Sequence, residues 1–284
     1  MAPKGNSSKK QMDDTNGSAT SSAPKQLTNV PWPRLRPKDL TLPSSPPEWL
    51  IPDQVCLLPG FLTADECQAL IALFDDGSSG SSSSTANARG AASKSKNGGK
   101  PNIKDQVETQ HAQRFTLSPS PPAKKGEAVR TNYRASTVDP EFAHTLFRLG
   151  LDKAVQDWPS LDKPRAGVKP KTPAGLHANI RIYRYDPGAI FGPHYDQSSI
   201  CPVTRLSSEW TLLVYLSGGP GSDLTGGQTI FYDNHSEKSS RKWEVEPRAG
   251  LALLHRHGSA CMLHAALPPL AGTKWVLRSD LLFQ

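Results

Sequence analysis

Three residues of this chain, His194, Asp196 and His264, have the types and spacing of a metal-binding set. His194 and Asp196 lie two positions apart, and in an extended strand that spacing places both side chains on one face. Two histidines and one carboxylate can hold a non-haem Fe(II) ion while leaving other coordination positions open. The sequence therefore predicts an iron centre with one ligand supplied from a distant part of the chain.

Other residues around these three form an ordered motif. It comprises YDPG at 185–188, HYD at 194–196, GGQTIF at 226–231, His264, and GTK at 272–274. In order and spacing it resembles the Fe(II)- and 2-oxoglutarate-dependent dioxygenases, specifically their prolyl-4-hydroxylase-like group. The resemblance covers about residues 50–284 apart from a low-complexity insertion. It implies a double-stranded β-helix (jelly-roll) core, with His194, Asp196 and His264 as the iron ligands and the catalytic centre.

The resemblance also implies a set of residues that bind the cosubstrate. Lys274, ten positions after the distal histidine, would pair with the distal carboxylate of 2-oxoglutarate, because a buried dianion needs a fixed cation. Tyr185 and Tyr215 fall where the family places tyrosine hydroxyls near the cosubstrate. Arg278 is the alternative partner of the carboxylate, since other branches of the superfamily use arginine. It could instead pair with Asp280, which shares its strand face.

The family chemistry requires Fe(II), 2-oxoglutarate and O2, with L-ascorbate as an additional ligand. It converts 2-oxoglutarate to succinate and CO2 while a substrate is hydroxylated. A protein side chain such as proline is the favoured substrate. The alternatives are oxidative demethylation of nucleic acid, oxidation of a small molecule, and a non-catalytic binding module that keeps the fold.

The stretch AVRTNYRAS supplies candidate substrate-binding residues. Arg130, Asn132 and Arg134 alternate, so one continuous strand would present all three on one face, either as a substrate-facing rim or as a solvated edge. The remaining histidines, including His255 and His257, are predicted to be structural or exposed.

The elements that position these residues are short strands following two helices. Thr63 and Glu66 have the spacing of a capping box, and Asp139-Pro140 has the pattern of a helix start. From residue 178 onward, short apolar runs alternate with turn residues, with strands predicted near 179–185, 210–216, 227–232, 243–246, 250–255, 260–264 and 274–282. This pattern indicates an α+β domain that is mainly β, with the helices packed outside a sandwich or barrel.

Composition divides the chain into a domain at 49–284 and disordered basic segments. Residues 1–48 are predicted to be a disordered tail, and residues 77–127 a largely flexible insertion, leaving a catalytic β-core at 178–284. The net charge of +7 lies in these segments, which carry +3 and +5 and leave −1 for the remainder. Solvated tails, or a tether for nucleic acid, are the two interpretations of this charge.

The four widely spaced cysteines form no CxxC pair, which favours a reduced compartment over a disulfide framework or a zinc site. No signal peptide or apolar stretch of membrane-spanning length is present. We therefore expect a soluble protein of the cytosol or nucleus.

Overall fold

The computed structural model describes residues 26–36, 46–74, 115–161, 167 and 169–284. Strands in these residues are β1 Gln26–Leu27, β2 Glu48–Ile51, β3 Val55–Leu58, β4 Ser118–Pro119, β5 Tyr133–Val138, β6 Pro173–Leu176, β7 Asn179–Tyr185, β8 Phe191–His194, β9 Ser207–Tyr215, β10 Thr225–Gly226, β11 Thr229–Tyr232, β12 Lys242–Val245, β13 Ala252–Arg256, β14 His264–Ala266, β15 Pro269–Ala271 and β16 Lys274–Phe283. Helices are α1 Ala64–Ala72, α2 Pro140–Leu146, a π-helical turn Phe147–Leu151, α3 Asp152–Ala154, and the 3-10 turns Asp233–His235 and Gly258–Ala260.

Two main sheets form the core. The larger follows the order β1-β5-β7-β16-β9-β13-β3-β2, with β4 paired to β5 and β6 paired to β16. The smaller follows the order β12-β11-β14-β8, and β10 pairs with β15 as a separate ribbon. All pairings are antiparallel except that of β1 with β5. The prediction of a mainly β, α+β domain with a double-stranded β-helix core is confirmed.

Strict alternation along the central strands separates the two faces of the large sheet. On β7, Ile180 and Ile182 join an apolar cluster with residues of the helices, whereas Tyr183 and Tyr185 join a second cluster that includes the smaller sheet. Because side chains of a strand point alternately to opposite faces, each central strand contributes to both clusters. The inner face therefore lies between the two sheets, and the helices cover the outer face.

The predicted helix starts are confirmed. Thr63 and Glu66 form a reciprocal capping box at α1, where the hydroxyl of Thr63 accepts from the Glu66 amide and the Glu66 carboxylate accepts from the Thr63 amide. Asp139 caps α2 by accepting a hydrogen bond from the Phe142 amide, and Pro140 occupies the first helical position. After α2, Gly150 interrupts the helical backbone with φ 107°. These local signals set the direction of both covering helices.

Part of the predicted disordered tail is instead packed on the domain. The indole of Trp32 stacks on Phe142 with ring centroids 4.0 Å apart and donates a hydrogen bond of 2.8 Å to Asp139. In the predicted insertion, Phe115 and Leu117 are likewise buried. Apolar residues isolated in polar sequence lack a periodic signal, so only tertiary packing identifies them as core. Residues 1–25, 37–45 and 75–114 lie outside the described residues.

Replacement of Trp32 by alanine tests whether this segment belongs to the folded unit. We expect a loss of about 2–4 kcal/mol in the free energy of unfolding, because the variant removes an aromatic stack and a hydrogen bond. Urea unfolding measures this change. The control is Leu270→Ala at a side chain that is 77% exposed, where the change is expected within about 0.5 kcal/mol. Equal stability of the two variants would contradict the packing of this segment.

The predicted strands are present, with shifted ends. The largest difference concerns the strand predicted at 260–264, because β14 begins at His264 and a 3-10 turn occupies Gly258–Ala260. Strand β8 was not predicted, although it carries His194. Among the described residues, none of the helices is both long and apolar enough to span a membrane.

Candidate metal centre and adjoining cleft

The predicted metal ligands meet at one edge of the smaller sheet. His194 is the last residue of β8 and His264 the first of β14, and the two are direct cross-strand partners. The expectation that His264 ends a strand was wrong, because β14 begins at this residue. The antiparallel pairing nevertheless brings the two residues together, and Asp196 follows β8 at the same end.

The three side chains have the spacing of a mononuclear metal site. One ligand atom from each lies within 4.8 Å of the others. Asp196 Oδ1 is 3.7 Å from His194 Nε2, and Asp196 Oδ2 is 3.7 Å from His264 Nε2. Two imidazole nitrogens and one carboxylate fit Fe(II) and, as a partial set, leave room for further ligands. These residues would hold the ion.

Backbone carbonyls orient both histidines. Nδ1 of His194 donates to the carbonyl of Gly192 at 2.8 Å, and Nδ1 of His264 donates to the carbonyl of Met262 at 2.9 Å. Because a carbonyl can only accept, the Nδ1 atoms carry the protons and the Nε2 lone pairs face Asp196. Burial and the neighbouring His264 lower the pKa of His194 to about 3, so its imidazole is neutral. Both rings are thus prepared as metal ligands.

Asp196 is kept ionised and fixed by its neighbours. Nη1 of Arg278 donates to Oδ1 at 3.0 Å, and the hydroxyl of Thr211 donates to Oδ2 at 2.8 Å. Burial opposes ionisation, but the adjacent Arg278 guanidinium holds the pKa of Asp196 well below its usual range. The predicted contact of Arg278 with Asp280 is also present, at 3.3 Å. Arg278 therefore connects the carboxylate ligand to a second buried carboxylate.

His255 and His257 also surround Asp196. Nε2 of His255 lies 3.5 Å from Asp196 Oδ2, and Nδ1 of His257 lies 3.1 Å from the Thr211 hydroxyl. Both are buried, so the alternative of exposed histidines was wrong. Strand alternation could have identified His255, because it shares a face of β13 with Leu253, which packs between the sheets. His257 follows the strand and has no such signal.

Loss of the Thr211 hydroxyl should weaken metal binding. We expect Thr211→Val to raise the Kd for Fe(II) or Mn(II) about 10- to 100-fold, because the variant removes a hydrogen bond that orients the carboxylate ligand. Anaerobic calorimetric titration with Mn(II) measures this affinity. The matched control is Thr204→Val in an exposed loop, which should leave the Kd unchanged. An unchanged Kd for Thr211→Val would show that this hydrogen bond does not support the site.

Lys274 lines a small pocket that adjoins the ligand set. Its ammonium group donates to the carbonyl of Gly227 at 2.6 Å and lies 5.3 Å from the ring of Tyr185 and 5.4 Å from that of Tyr215. The Tyr215 hydroxyl donates to Thr229 at 2.7 Å. A Cβ at Gly227 would lie 3.3 Å from Lys274 Cδ, so the glycine makes room for the lysine. Of the predicted cosubstrate residues, Lys274, Tyr185 and Arg278 line this pocket, whereas Tyr215 does not line it.

This pocket supplies one buried cation without a counter-charge. Among the described residues, no carboxylate forms an ion pair with Lys274. Burial alone lowers its pKa to about 7. Arg278, in contrast, is saturated by Asp196 and Asp280. A pocket with an uncompensated cation is chemically suited to an anionic ligand.

A wide cleft of about 1220 Å³ opens from the metal ligands to the surface. Arg130 and Arg134 line it, as do Arg181, Tyr183 and Tyr195. The expectation that Arg130, Asn132 and Arg134 share one strand face was wrong, because β5 begins at Tyr133. Asn132 is fully buried and bonds to Ser120 and the Tyr133 carbonyl, away from the cleft.

Comparison with known families agrees with this geometry. Residues 180–279 match the model of the 2OG-Fe(II) oxygenase superfamily. That range contains all three candidate metal ligands together with Lys274 and Arg278. No curated protein matches the sequence.

Several solved structures are similar at low identity. Viral collagen prolyl hydroxylase from Paramecium bursaria Chlorella virus-1 is 17% identical, with 81% of this chain and 96% of that chain covered and a TM-score of 0.42. A Pseudomonas putida prolyl-4-hydroxylase is 16% identical, with 80% and 91% covered and a TM-score of 0.43. A Trichoplax adhaerens prolyl hydroxylase, in complex with a hypoxia inducible factor peptide fragment, is 15% identical, with 82% and 86% covered and a TM-score of 0.46.

The similarity to this superfamily is confined to the part of the chain that carries the candidate ligands. Residues 180–279, which hold the ligand set between the two sheets, are similar to the 2OG-Fe(II) oxygenase superfamily.

Proposed function

We propose that this protein is a 2-oxoglutarate-dependent dioxygenase that hydroxylates a protein side chain, with proline as the first candidate. The observation that carries the proposal is the position of the metal ligands between two different spaces. A small pocket with the buried Lys274 and a wide cleft adjoin each other, and His194 and Asp196 line both. When bound, iron with 2-oxoglutarate and O2 supplies the oxidising chemistry.

We assign the distal carboxylate of 2-oxoglutarate to Lys274 and not to Arg278. Lys274 has no acidic partner among the described residues, whereas Arg278 already holds two carboxylates. Using Arg278 for the cosubstrate would require breaking its contact with Asp196. Tyr185 and Thr229 line the same pocket as Lys274 and would complete its polar wall. The role of Arg278 is then to fix Asp196.

The cleft supports a polypeptide substrate. Its volume of about 1220 Å³ accommodates several residues of an extended chain, and it reaches both the surface and His194. Demethylation of nucleic acid is less well supported, because the residues outside 1–48 and 77–127 carry a net charge of −1. We retain L-ascorbate and a cytosolic or nuclear location as parts of the proposal.

The decisive experiment is an anaerobic titration with Fe(II) and 2-oxoglutarate, followed by the visible metal-to-ligand charge-transfer band. The proposal expects a band that requires both additions and is lost in His194→Ala. Succinate formation with pools of proline-containing peptides, oligonucleotides or metabolites then identifies the substrate class. A well-folded protein without a band contradicts the dioxygenase proposal, and succinate formation with oligonucleotides alone contradicts the protein substrate.

Binding of 2-oxoglutarate should depend on pH through Lys274. With a pKa of about 7, Lys274 is charged at pH 6 and largely neutral at pH 8 in the free protein. The bound dianion requires the charged form, so above pH 7 binding takes up about one proton and the Kd rises up to about tenfold per pH unit. Calorimetry in buffers of different ionisation enthalpy measures this uptake. The control ligand, 2-oxobutyrate, lacks the distal carboxylate, so its binding should take up fewer protons. Equal proton uptake for the two ligands would contradict the assignment.

A further inference from the structure

Two arginines of the cleft have no acidic partner. Among the described residues, Arg130 and Arg134 form no ion pair, and Nε of Arg134 is buried without a hydrogen bond. The other two arginines of the cleft, Arg181 and Arg278, both contact Asp280. A desolvated guanidinium without a counter-charge is costly, and a bound anion compensates it.

The strand register gathers these charges on one surface. Arg134 of β5 pairs with Tyr183 of β7, and Arg181 of β7 pairs with Arg278 of β16. Side chains two positions apart point to the same face, so three adjacent strands direct arginines towards the metal ligands. Burial lowers the pKa of Arg130, and the charges of Arg134 and Arg278 lower it further. The uncompensated positive charge of the cleft is therefore that of Arg130 and Arg134, next to the candidate metal ligands.

Phe191 lies between Arg130 and the candidate metal ligand His194. The guanidinium of Arg130 lies 3.6 Å from the ring centroid of Phe191, and that ring stacks on His194 with centroids 3.5 Å apart. Since one ring cannot hold both neighbours on the same face, Arg130, Phe191 and His194 form a three-layer stack. An extended chain advances about 3.3 Å per residue, so an anion at Arg130 lies within about three residues of a group at the metal ligands.

We propose that the cleft selects peptides that carry an acidic residue within about three positions of the hydroxylated residue. The carboxylate would bind Arg130 and Arg134, whose planar guanidinium groups suit bidentate contact with carboxylates. Glu127, which also lines the cleft, is exposed and accepts from the Lys124 amide at the rim. The negative charge of Glu127 would repel the substrate carboxylate and favour its binding at Arg130 and Arg134. This inference rests on the proposed function, because it places a peptide at the same centre.

The test measures binding without turnover. The full chain is loaded anaerobically with Fe(II) and 2-oxoglutarate, and anisotropy follows fluorescein-labelled 11-residue peptides with a central proline. One series carries a single glutamate at each position from three before to three after the proline, and the matched series carries glutamine. We expect at least one glutamate peptide to bind about tenfold or more tightly than its glutamine counterpart, as for a charge-assisted hydrogen-bonded pair.

Arginine variants assign the preference to the cleft. Arg130→Gln and Arg134→Gln should each reduce the glutamate-to-glutamine ratio to about one to two, and Arg130→Lys should keep part of it, because the charge remains. The control Arg248→Gln, at an exposed position outside the cleft, should leave the ratio unchanged. Circular dichroism confirms that each variant is folded.

The outcomes separate this inference from the proposed function. Equal affinity for both peptide series, or a preference that survives both glutamine variants, overturns the acidic-residue inference. A charge-transfer band in the same samples would leave the dioxygenase assignment intact. Tighter arginine-dependent binding of a ten-nucleotide oligothymidylate, or of free glutamate, overturns the assignment to a peptide. Arginine-dependent selection of glutamate peptides without any band supports the anion site and contradicts the proposed function.

Discussion

Replacing Asp196 by alanine will lower 2-oxoglutarate turnover more than about 1000-fold, because the variant removes a ligand that holds the metal. Asp196 lies within 3.7 Å of both histidine ligands and is the single carboxylate of the set. Its removal also leaves Arg278 next to two neutral imidazoles, which disfavours a cation at this position. Neither a charge-transfer band nor succinate should form.

The control for this variant must separate loss of the metal from loss of the fold. Asp223→Ala changes an exposed aspartate and should keep both the band and turnover. Loss of Asp196 leaves Arg278 paired with Asp280 alone, so circular dichroism and urea unfolding must accompany the assay. Full turnover by a folded Asp196→Ala protein would show that the three residues are not the metal ligands.

Replacing Lys274 by methionine will weaken 2-oxoglutarate binding about 100-fold or more. The variant removes a fully buried cation facing the bound dianion, and a buried, hydrogen-bonded charge pair loses several kcal/mol when one partner is removed. The Kd for 2-oxobutyrate should change little, since this acid lacks the distal carboxylate. Anaerobic titration of the charge-transfer band gives both constants, and their ratio measures recognition of that carboxylate.

The same ratio tests the alternative at Arg278. Arg278→Lys perturbs Asp196 and should weaken both keto acids together, which leaves the ratio unchanged. If Arg278→Lys abolished the difference between the two Kd values and Lys274→Met kept it, the assignment of the two residues would be reversed.

The unliganded Lys274→Met protein should also be more stable than the wild type at pH 6. The folded-state pKa of Lys274 is lowered to about 7, so its burial penalty is fully present below that pH and declines as pH rises towards the unfolded value.

The sequence predicted the candidate metal ligands and the faces of the strands with little help from the fold. His194, Asp196 and His264 were proposed from residue type and order, and the shared face of Arg278 and Asp280 followed from the period of a strand. The capping residues of both helices were equally local signals, because a cap depends on a few consecutive residues. Such features are determined within a few positions of the chain.

Contacts across sheets could not be obtained in this way. The carboxylate of Asp196 contacts Arg278, Thr211 and His255. These residues come from three different strands and lie between 15 and 82 positions from Asp196 in the sequence. Likewise, Asn132 is buried while Arg130 and Arg134 line the cleft, because β5 begins only at Tyr133 and the residues before it do not continue its alternation. Where a strand begins depends on its pairing with neighbouring strands, which the local sequence does not contain.

The sequence by itself determined which chemical groups are available and which side chains share a strand face, because those properties depend on residue type and strand period. Only the tertiary structure decided that, within the described part of the chain, Lys274 lacks a counter-charge while Arg278 has two, and that arginines without ion pairs adjoin the candidate metal ligands. The physical reason is that electrostatic pairing depends on distances between strands, which the order and register of the sheets set.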